Sequence, residues 1–297
     1  MTPFAELVDA LGGRDPAGAL RDLDARRRLT AIIPPLEAGR GFEQPDLHHY
    51  TVLDHNLAAV AAFEAATGLG EDGRDLRGVL SWLDFDEALE REIDGLPVRT
   101  LLRLSVLVHD ISKPETATVI DGRLRFPRHG PRGAEVLREL LPALGFRAAQ
   151  TDFVARMVRY HLRPGELVRN WPPTDHAIRR FVHDLDGHVL PLMLVNLADG
   201  MATRGPRYTR ENYRRHGGLV NYVVARAWAV TEADDPPLIT GEQLMTTLDL
   251  EGGRLLGAVL TSVREAQTKG LVRTAEEAHA LARETLAEMR KAAARGG

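Results

Sequence analysis

The chain has no cysteine. Disulfide cross-links, thiolate metal sites and cysteine nucleophiles are therefore excluded. Aromatic residues are scarce at 5%. There is no excess of positive charge: 38 Lys and Arg stand against 42 Asp and Glu, for a net charge of -4. Any contact with nucleic acid must then be a local patch. No apolar run approaches the roughly 20 residues needed to cross a bilayer. The opening MTPFAELVDALGG has neither a basic n-region nor a long apolar stretch, so it does not read as a signal peptide. A cytoplasmic location with no membrane partner is the expectation.

What is present is a helical pattern. At 297 residues with 44% hydrophobic content, the chain can bury a substantial core. Helical spacing runs from Leu53 to Ala66. Thr100 to Asp110 is almost wholly apolar and reads as a buried helix ended by Pro114. Residues 67–78 read as a Gly/Asp/Arg loop and 79–94 as an acidic amphipathic helix. A short hairpin is expected around Asp121-Gly122. Helices are expected at about 131–142, 150–161, 175–184, 189–201 and 211–230. TEADDPPLITG (231–241) reads as a linker, and Thr240–Gln243 and Thr274–Glu277 fit capping boxes beyond it. Trp82, Trp171 and Trp228 are read as packing anchors. The fold class is all-α: a helical core with a C-terminal helical appendage, divided as 1–44, 45–230 and 231–297.

The chemistry lies in an ordered series: His55, His109-Asp110, His129, His161 and Asp199. Imidazoles and carboxylates in this mixture suit divalent transition metals. Helix geometry sets His55 on one face with Val52 and Ala59, His161 with Val154 and Met157, and Asp199 with Leu192 and Val195. Each candidate thus lies on an inward-facing stripe, where a polar group left alone is costly. One buried histidine is most simply a hydrogen-bonded core residue. Six such residues in this order favour one or two metal ions: Mn, Fe, Co, Ni or Zn rather than Mg, which prefers oxygen shells.

His55, His109-Asp110 and Asp199 resemble the pattern of the HD superfamily of metal-dependent phosphohydrolases. HHYTVLDHNL (48–57), LRLSVLVHDISKPET (102–116), VRYHLRP (158–164), LADGMATRGP (197–206) and the stretch 236–281 resemble, more narrowly, the HD domain and C-terminal helical region of bacterial CCA-adding and poly(A) polymerases. Residues 26–44 resemble the segment joining the neck of those enzymes to the HD domain. Gly12-Gly13 and Asp22-Leu23-Asp24 imitate the letters of a nucleotidyltransferase head, but they sit in an Arg-rich, helix-prone segment without strand pattern. The head is therefore expected to be absent and polymerase activity is not carried over. Ser112 stands where many members have glycine, and Tyr160-His161 stands where many have two histidines.

The resemblance implies a first metal held by His55, His109, Asp110 and Asp199, and a second by Asp110, His129 and His161. Asp110 and Lys113 are the implied catalytic residues, with Lys113, Arg163, Arg132 and Arg204 offered to phosphate. The implied activity is hydrolysis of a small phosphoester, a nucleotide or an RNA 2′,3′-cyclic phosphate end. The alternatives are a mixed-valent di-iron oxygenase on the same fold and a non-enzymatic RNA-binding module. The basic run RGPRYTRENYRR (204–215) fits a weak RNA or tRNA contact through Arg204, Arg207, Arg210, Arg214 and Arg215, and fits a solvated helix face equally.

Overall fold

A computed structural model describes residues 1–45, 47–169, 171–232, 237–268 and 271–295. The fold is all-α. Among the described residues the strands form two small antiparallel pairs, β1 (Glu92–Ile93) with β2 (Leu96–Pro97) and β3 (Thr118–Ile120) with β4 (Arg123–Arg125). Two compact units emerge: residues 1–169 with 185–225, and 170–184 with 226–297. Residues 1–44 fall within the first unit, and 170–184 group with the C-terminal residues. Part of the expected linker, 233–236, lies outside the described residues.

The first unit begins with α1 (Pro3–Gly12) and α2 (Pro16–Ala25). Thr2 and Asp15 cap them by accepting from the amides of Ala5 and Gly18, and both open on proline, whose missing N–H costs nothing at a helix start. A short α3 (Arg28–Ile32) and a 3-10 turn over Pro34–Gly39 follow. The segment is thus helical throughout. Asp24, one letter of the polymerase-like Asp-Leu-Asp, lies on α2 and pairs with Arg40 at 2.5 Å.

Next come α4 (Val52–Thr67), α5 (Glu71–Val79) and α6 (Phe85–Glu90). The stretch 67–78, taken as a loop for its glycines, is mostly helix α5. The single helix expected over 79–94 is instead α6 followed by strand β1. Gly73 sits so close to the carbonyl of Gly68 that a Cβ would lie 1.9 Å from it, so this glycine serves close packing rather than a loop.

Helix α7 (Val98–Val108) is the axis of the unit. Every residue of it except Arg99 is buried, and it packs against α4, against α10 (Ala148–Tyr160) and against α13 (Val189–Arg204). Its all-round apolar surface is what a helix enclosed by neighbours requires. Between α7 and α10 lie α8 (Lys113–Thr116), the β3–β4 hairpin and α9 (His129–Leu144). The hairpin turns at Asp121-Gly122, both at positive φ (50° and 71°), as a tight hairpin turn demands. After α10 come α11 (Arg163–Leu167) and, in the second unit, α12 (Asp175–Asp184). Helix α14 (Arg210–Glu232) follows a 3-10 turn at Gly205–Arg207.

The second unit is completed by α15 (Gly241–Leu248), α16 (Arg254–Thr268) and α17 (Ala275–Arg295) around Ile239, Leu244, Val259, Val263, Ala278 and Ala282. Both expected capping boxes are present: Thr240 with Gln243, and Thr274 with Glu277. The three tryptophans are not packing anchors. Trp82, Trp171 and Trp228 are 45%, 57% and 53% exposed, and the core is built of leucine, valine and alanine instead.

One part-buried ion pair ties α7 to α4, and its arginine also reaches α1. Arg103 of α7 donates two bonds of 2.7 Å to Glu64 of α4 and a third of 2.7 Å to the carbonyl of Leu11 in α1. Its side chain is 9% exposed. Removing one partner of such a pair leaves the other charge uncompensated. Arg103→Ala should therefore cost about 3 kcal/mol of unfolding free energy, read as a lowered urea midpoint of the first unit. A midpoint that does not move would show the pair to be dispensable.

Candidate metal centre

Six side chains converge inside the first unit from five helices and their ends, His109 and Asp110 together from one of them. His55 comes from the first turn of α4. His109 and Asp110 follow the last residue of α7. His129 opens α9, His161 follows α10, and Asp199 lies in the last half of α13. Five are almost completely buried, and the Asp199 side chain is 17% exposed.

The donor atoms form two triads. His55, His109 and Asp199 make one; Asp110, His129 and His161 make the other. In the first, Nε2 of His55 lies 3.0 Å from Nε2 of His109 and 3.2 Å from Oδ1 of Asp199, and the His109–Asp199 distance is 3.6 Å. In the second, the Nε2 atoms of His129 and His161 are 3.1 Å apart. They lie 3.3 and 3.6 Å from Oδ1 of Asp110. The other Asp110 oxygen, Oδ2, faces the first triad, 3.4 Å from His55 and 3.3 Å from His109. Asp110 thus divides its two oxygens between the two triads.

The imidazoles are oriented by backbone. Nδ1 of His109, His129 and His161 lies 2.7 Å from the carbonyl oxygen of Val106, Phe126 and Val158, three residues back in each case. A carbonyl can only accept, so each Nδ1 carries the proton and donates. Each ring, when neutral, then presents a bare Nε2 lone pair to the centre. Lone pairs of His129 and His161 at 3.1 Å repel unless something positive lies between them. Metal–nitrogen and metal–oxygen bonds of about 2.0–2.2 Å, meeting at angles of about 90–110°, set neighbouring donors about 3.0–3.5 Å apart, close to the spacing found. Neither oxygen of Asp110 accepts a well-aligned hydrogen bond, and Nδ1 of His55 has no partner. The donor set therefore fits divalent cations.

Charge gives the same answer. The Asp110 and Asp199 carboxyls are held well below the usual range: burial opposes their ionisation, but the surrounding imidazoles outweigh it, joined for Asp110 by Lys113. Burial likewise opposes charging His109, yet Asp110 and Asp199 push it up to about 10. His161 is driven down to about 3, by burial first and then by His129 and His109. The buried carboxylates demand cations, and His109 is the ring that takes a proton when nothing else supplies the charge.

Lys113 closes one side. Its ammonium is 2.6 Å from Oδ2 of Asp110 and donates to Oε1 of Gln44 at 2.7 Å. It also lies 3.3 Å from Nε2 of His48 and 5.4 Å from the centre of the Phe126 ring. Burial and Lys113 lower His48 to about 4, so His48 is a neutral acceptor here. Gln44 and His48 were not singled out from sequence. Their only signal was position, a few residues before His55, and an irregular segment gives no periodicity to read.

The other sequence candidates fall in different places. Arg163 lies near the Tyr160 ring at 5.9 Å, with Arg159 at 5.6 Å, so Tyr160 is a partner for guanidinium groups. Arg132 is on the surface with Glu115 at 2.8 Å and Glu135 at 3.2 Å. Arg204 is exposed at the end of α13. His216 donates from Nε2 to Oδ1 of Asn196 at 3.0 Å, and the Asn196 side-chain amide donates to the His161 carbonyl at 3.3 Å.

Residues 87–202 match the HD domain family. HD domains mark a superfamily of metal-dependent phosphohydrolases and bind divalent metals, and both triads draw most of their residues from the matched stretch. The chain is 30% identical over 282 residues to the A-adding tRNA nucleotidyltransferase of Deinococcus radiodurans, covering 93% of this chain and 56% of that one. It is 31% identical over 279 residues to the CC-adding tRNA nucleotidyltransferase of Thermus thermophilus, covering 93% and 54%. A bifunctional uridylyltransferase/uridylyl-removing enzyme of Novosphingobium aromaticivorans is 31% identical over 161 residues, 53% of this chain and 15% of that enzyme. The chain spans about half the length of the two tRNA nucleotidyltransferases. Among the described residues no helix is long and apolar enough to cross a membrane.

Because His109 holds a proton up to about pH 10 without a competing cation, a metal at its Nε2 must displace that proton at neutral pH. Binding of Mn or Zn to chelator-treated protein should release protons and weaken as pH falls. Calorimetric titration in two buffers of different ionisation enthalpy checks this. Heats that do not depend on the buffer would remove His109 from the ligand set.

Proposed function

We propose that this protein is a two-metal phosphohydrolase acting on a small phosphoester, a nucleotide or an RNA 2′,3′-cyclic phosphate end. The observation that carries the reading is the division of Asp110 between two donor triads. A first ion would be held by His55, His109, Asp110 and Asp199, and a second by Asp110, His129 and His161. The mixed nitrogen and oxygen donors favour Mn, Fe, Co, Ni or Zn. Such ions supply Lewis acidity toward phosphoryl oxygens and acidify water.

The chain's own groups have distinct tasks. Asp110 sets the spacing of the two triads and keeps the centre anionic enough to retain cations. Lys113, fixed by Asp110, Gln44 and His48, offers an ammonium charge to a phosphate oxygen. His48 cannot compete for that oxygen because it is neutral. Arg163, Arg132 and Arg204 are proposed as further phosphate contacts. Among these Arg132 has carboxylates already in place, which a phosphate would have to displace. We assign the division 1–44, 45–230 and 231–297 to a neck-like segment, the HD domain and a C-terminal helical region. A cytoplasmic location is part of the same reading.

A metal-by-substrate panel tests it, with an aryl phosphate, 2′,3′-cyclic nucleotides, mononucleotides and cyclic dinucleotides. Asp110→Ala should lower turnover by about 10³-fold or more, as expected when a group shared by two metals is lost, while circular dichroism stays unchanged. Equal rates for wild type and variant would trace the activity to a contaminant. Iron-dependent oxygen uptake without phosphate release would establish the oxygenase alternative instead.

Weak tRNA contact is the second part of the proposal, supported by the names of the two tRNA-acting relatives. The basic run of 204–215 is less positive than its letters. Arg210 is paired with Glu71, Asp72 and Asp75 at 2.5–2.9 Å, and Arg214 approaches Asp75 at 3.8 Å. Acidic helix α5 thus offsets two of the five arginines of the patch. Binding should be weak and should fall steeply between two salt concentrations. No binding at low salt would leave the phosphoester reading without an RNA component.

A further inference from the structure

A second concavity lies beside the centre in the same unit. It is a cleft of about 300 Å³, at the small end of ligand pockets and sufficient for one nucleoside-sized group. Its lining includes three of the chain's five tyrosines: Tyr50 and Tyr208, both half-buried, and Tyr213, which is buried. Small or flexible residues, Ala58, Ala62, Met201 and Gly205, line it as well. Aromatic rings among small side chains suit a planar ring. The lining also has a polar part, the Asp72 carboxylate and the Arg210 guanidinium, which pair with each other at 2.9 Å.

The cleft shares its supports with the metal centre. Ala58 follows His55 by three residues on α4, and Ala202 follows Asp199 by three on α13, about 4.5 Å of helix rise in each case. One short segment serves both places: His48 touches the Lys113 ammonium, and Tyr50 lines the cleft. That segment is clamped to the end of α13. The His49 amide donates to the Thr203 carbonyl at 2.9 Å, and a Cβ on Gly205 would lie 2.7 Å from the His49 ring. Glycine at 205, with φ of 52°, is what lets the His49 ring pack there. A hydrogen-bond chain also joins the two sites: Tyr208 to His216 at 3.0 Å, His216 to Asn196 at 3.0 Å, and Asn196 to the His161 carbonyl.

We propose that this cleft is a nucleobase subsite, which holds the base of a substrate whose phosphoester lies at the metal centre. The proposal rests on the phosphohydrolase reading and narrows it to nucleotides over simple phosphomonoesters. Stacking on the tyrosines would supply affinity without strict sequence preference. Asp72 and Arg210 would contact the edge of the base, favouring one that presents both an amino donor and a ring acceptor.

The test compares AMP with phenyl phosphate, which share a phosphomonoester and differ in the base and sugar. Two variants are used: Tyr50→Ala removes a ring, and Ala62→Phe fills the cleft without removing any bond. Binding of AMP, followed by saturation-transfer NMR and calorimetry, should weaken by about tenfold or more in each, the scale expected for loss of one stacking partner. The ratio of kcat/KM for a nucleoside 2′,3′-cyclic phosphate to that for the aryl phosphate should fall by a similar factor. Circular dichroism and metal content report whether the variants are folded. A protein that binds AMP through Ala62 and Tyr50 but hydrolyses nothing would overturn the phosphohydrolase reading and keep the subsite. A protein that hydrolyses both substrates with an unchanged ratio, and binds AMP as the wild type does, would overturn the subsite and keep the activity.

Discussion

Two carboxylates buried among imidazoles that point bare nitrogens at one another form the constraint on which the rest of this structure depends. Asp110 and Asp199 are ionised in a place with little water. A buried negative charge needs a cation within a few ångströms or it destabilises the fold. Lys113 supplies one, a protonated His109 can supply another, and the donor spacing asks for more. The apolar helix α7 exists in that context. It carries His109-Asp110 into the middle of the unit, and α4, α10 and α13 wrap it with the remaining donors. The packing of four helices and the charge balance of six side chains are one problem, solved together.

Much of this was legible before any coordinates. The near-continuous apolar run ending in His109-Asp110 could only be an enclosed helix, and histidines on apolar faces had to meet something inside. The division of Asp110 between two triads was implied only by the family resemblance, because spacing along the chain does not say which oxygen faces which ring. Helix α5 was lost to its glycines: Gly73 is there for close approach to the backbone of Gly68, which looks like a loop signal in one dimension. The tryptophans misled for the opposite reason. Their size suggested anchors, whereas the core is filled by leucine, valine and alanine at helical spacing and leaves the indoles outside.

Gln44 and His48 show the limit of pattern reading most clearly. They lie in irregular chain, where no period of 3.6 or 2 marks an inward face. Their contact with Lys113 arises because the segment is tied across to α13 by His49 and by the bond from Arg207 to the Leu47 carbonyl. Similarly, the basic letters of 204–215 look like a patch until the acidic helix α5 is set against them. Charge in sequence is a sum, and charge in a fold depends on neighbours.

The bond from each ring to a carbonyl three residues back has a second face. Val106 lies in the last turn of α7 and Val158 in the last turn of α10, where carbonyl groups lack an intrahelical N–H partner. The Nδ1–H of His109 and of His161 satisfies them. These histidines are therefore C-terminal caps as well as nitrogen donors. Replacing either one unties a helix end at the same moment that it empties a place in the centre, so the two positions are constrained twice, once by the helix and once by the charge they face.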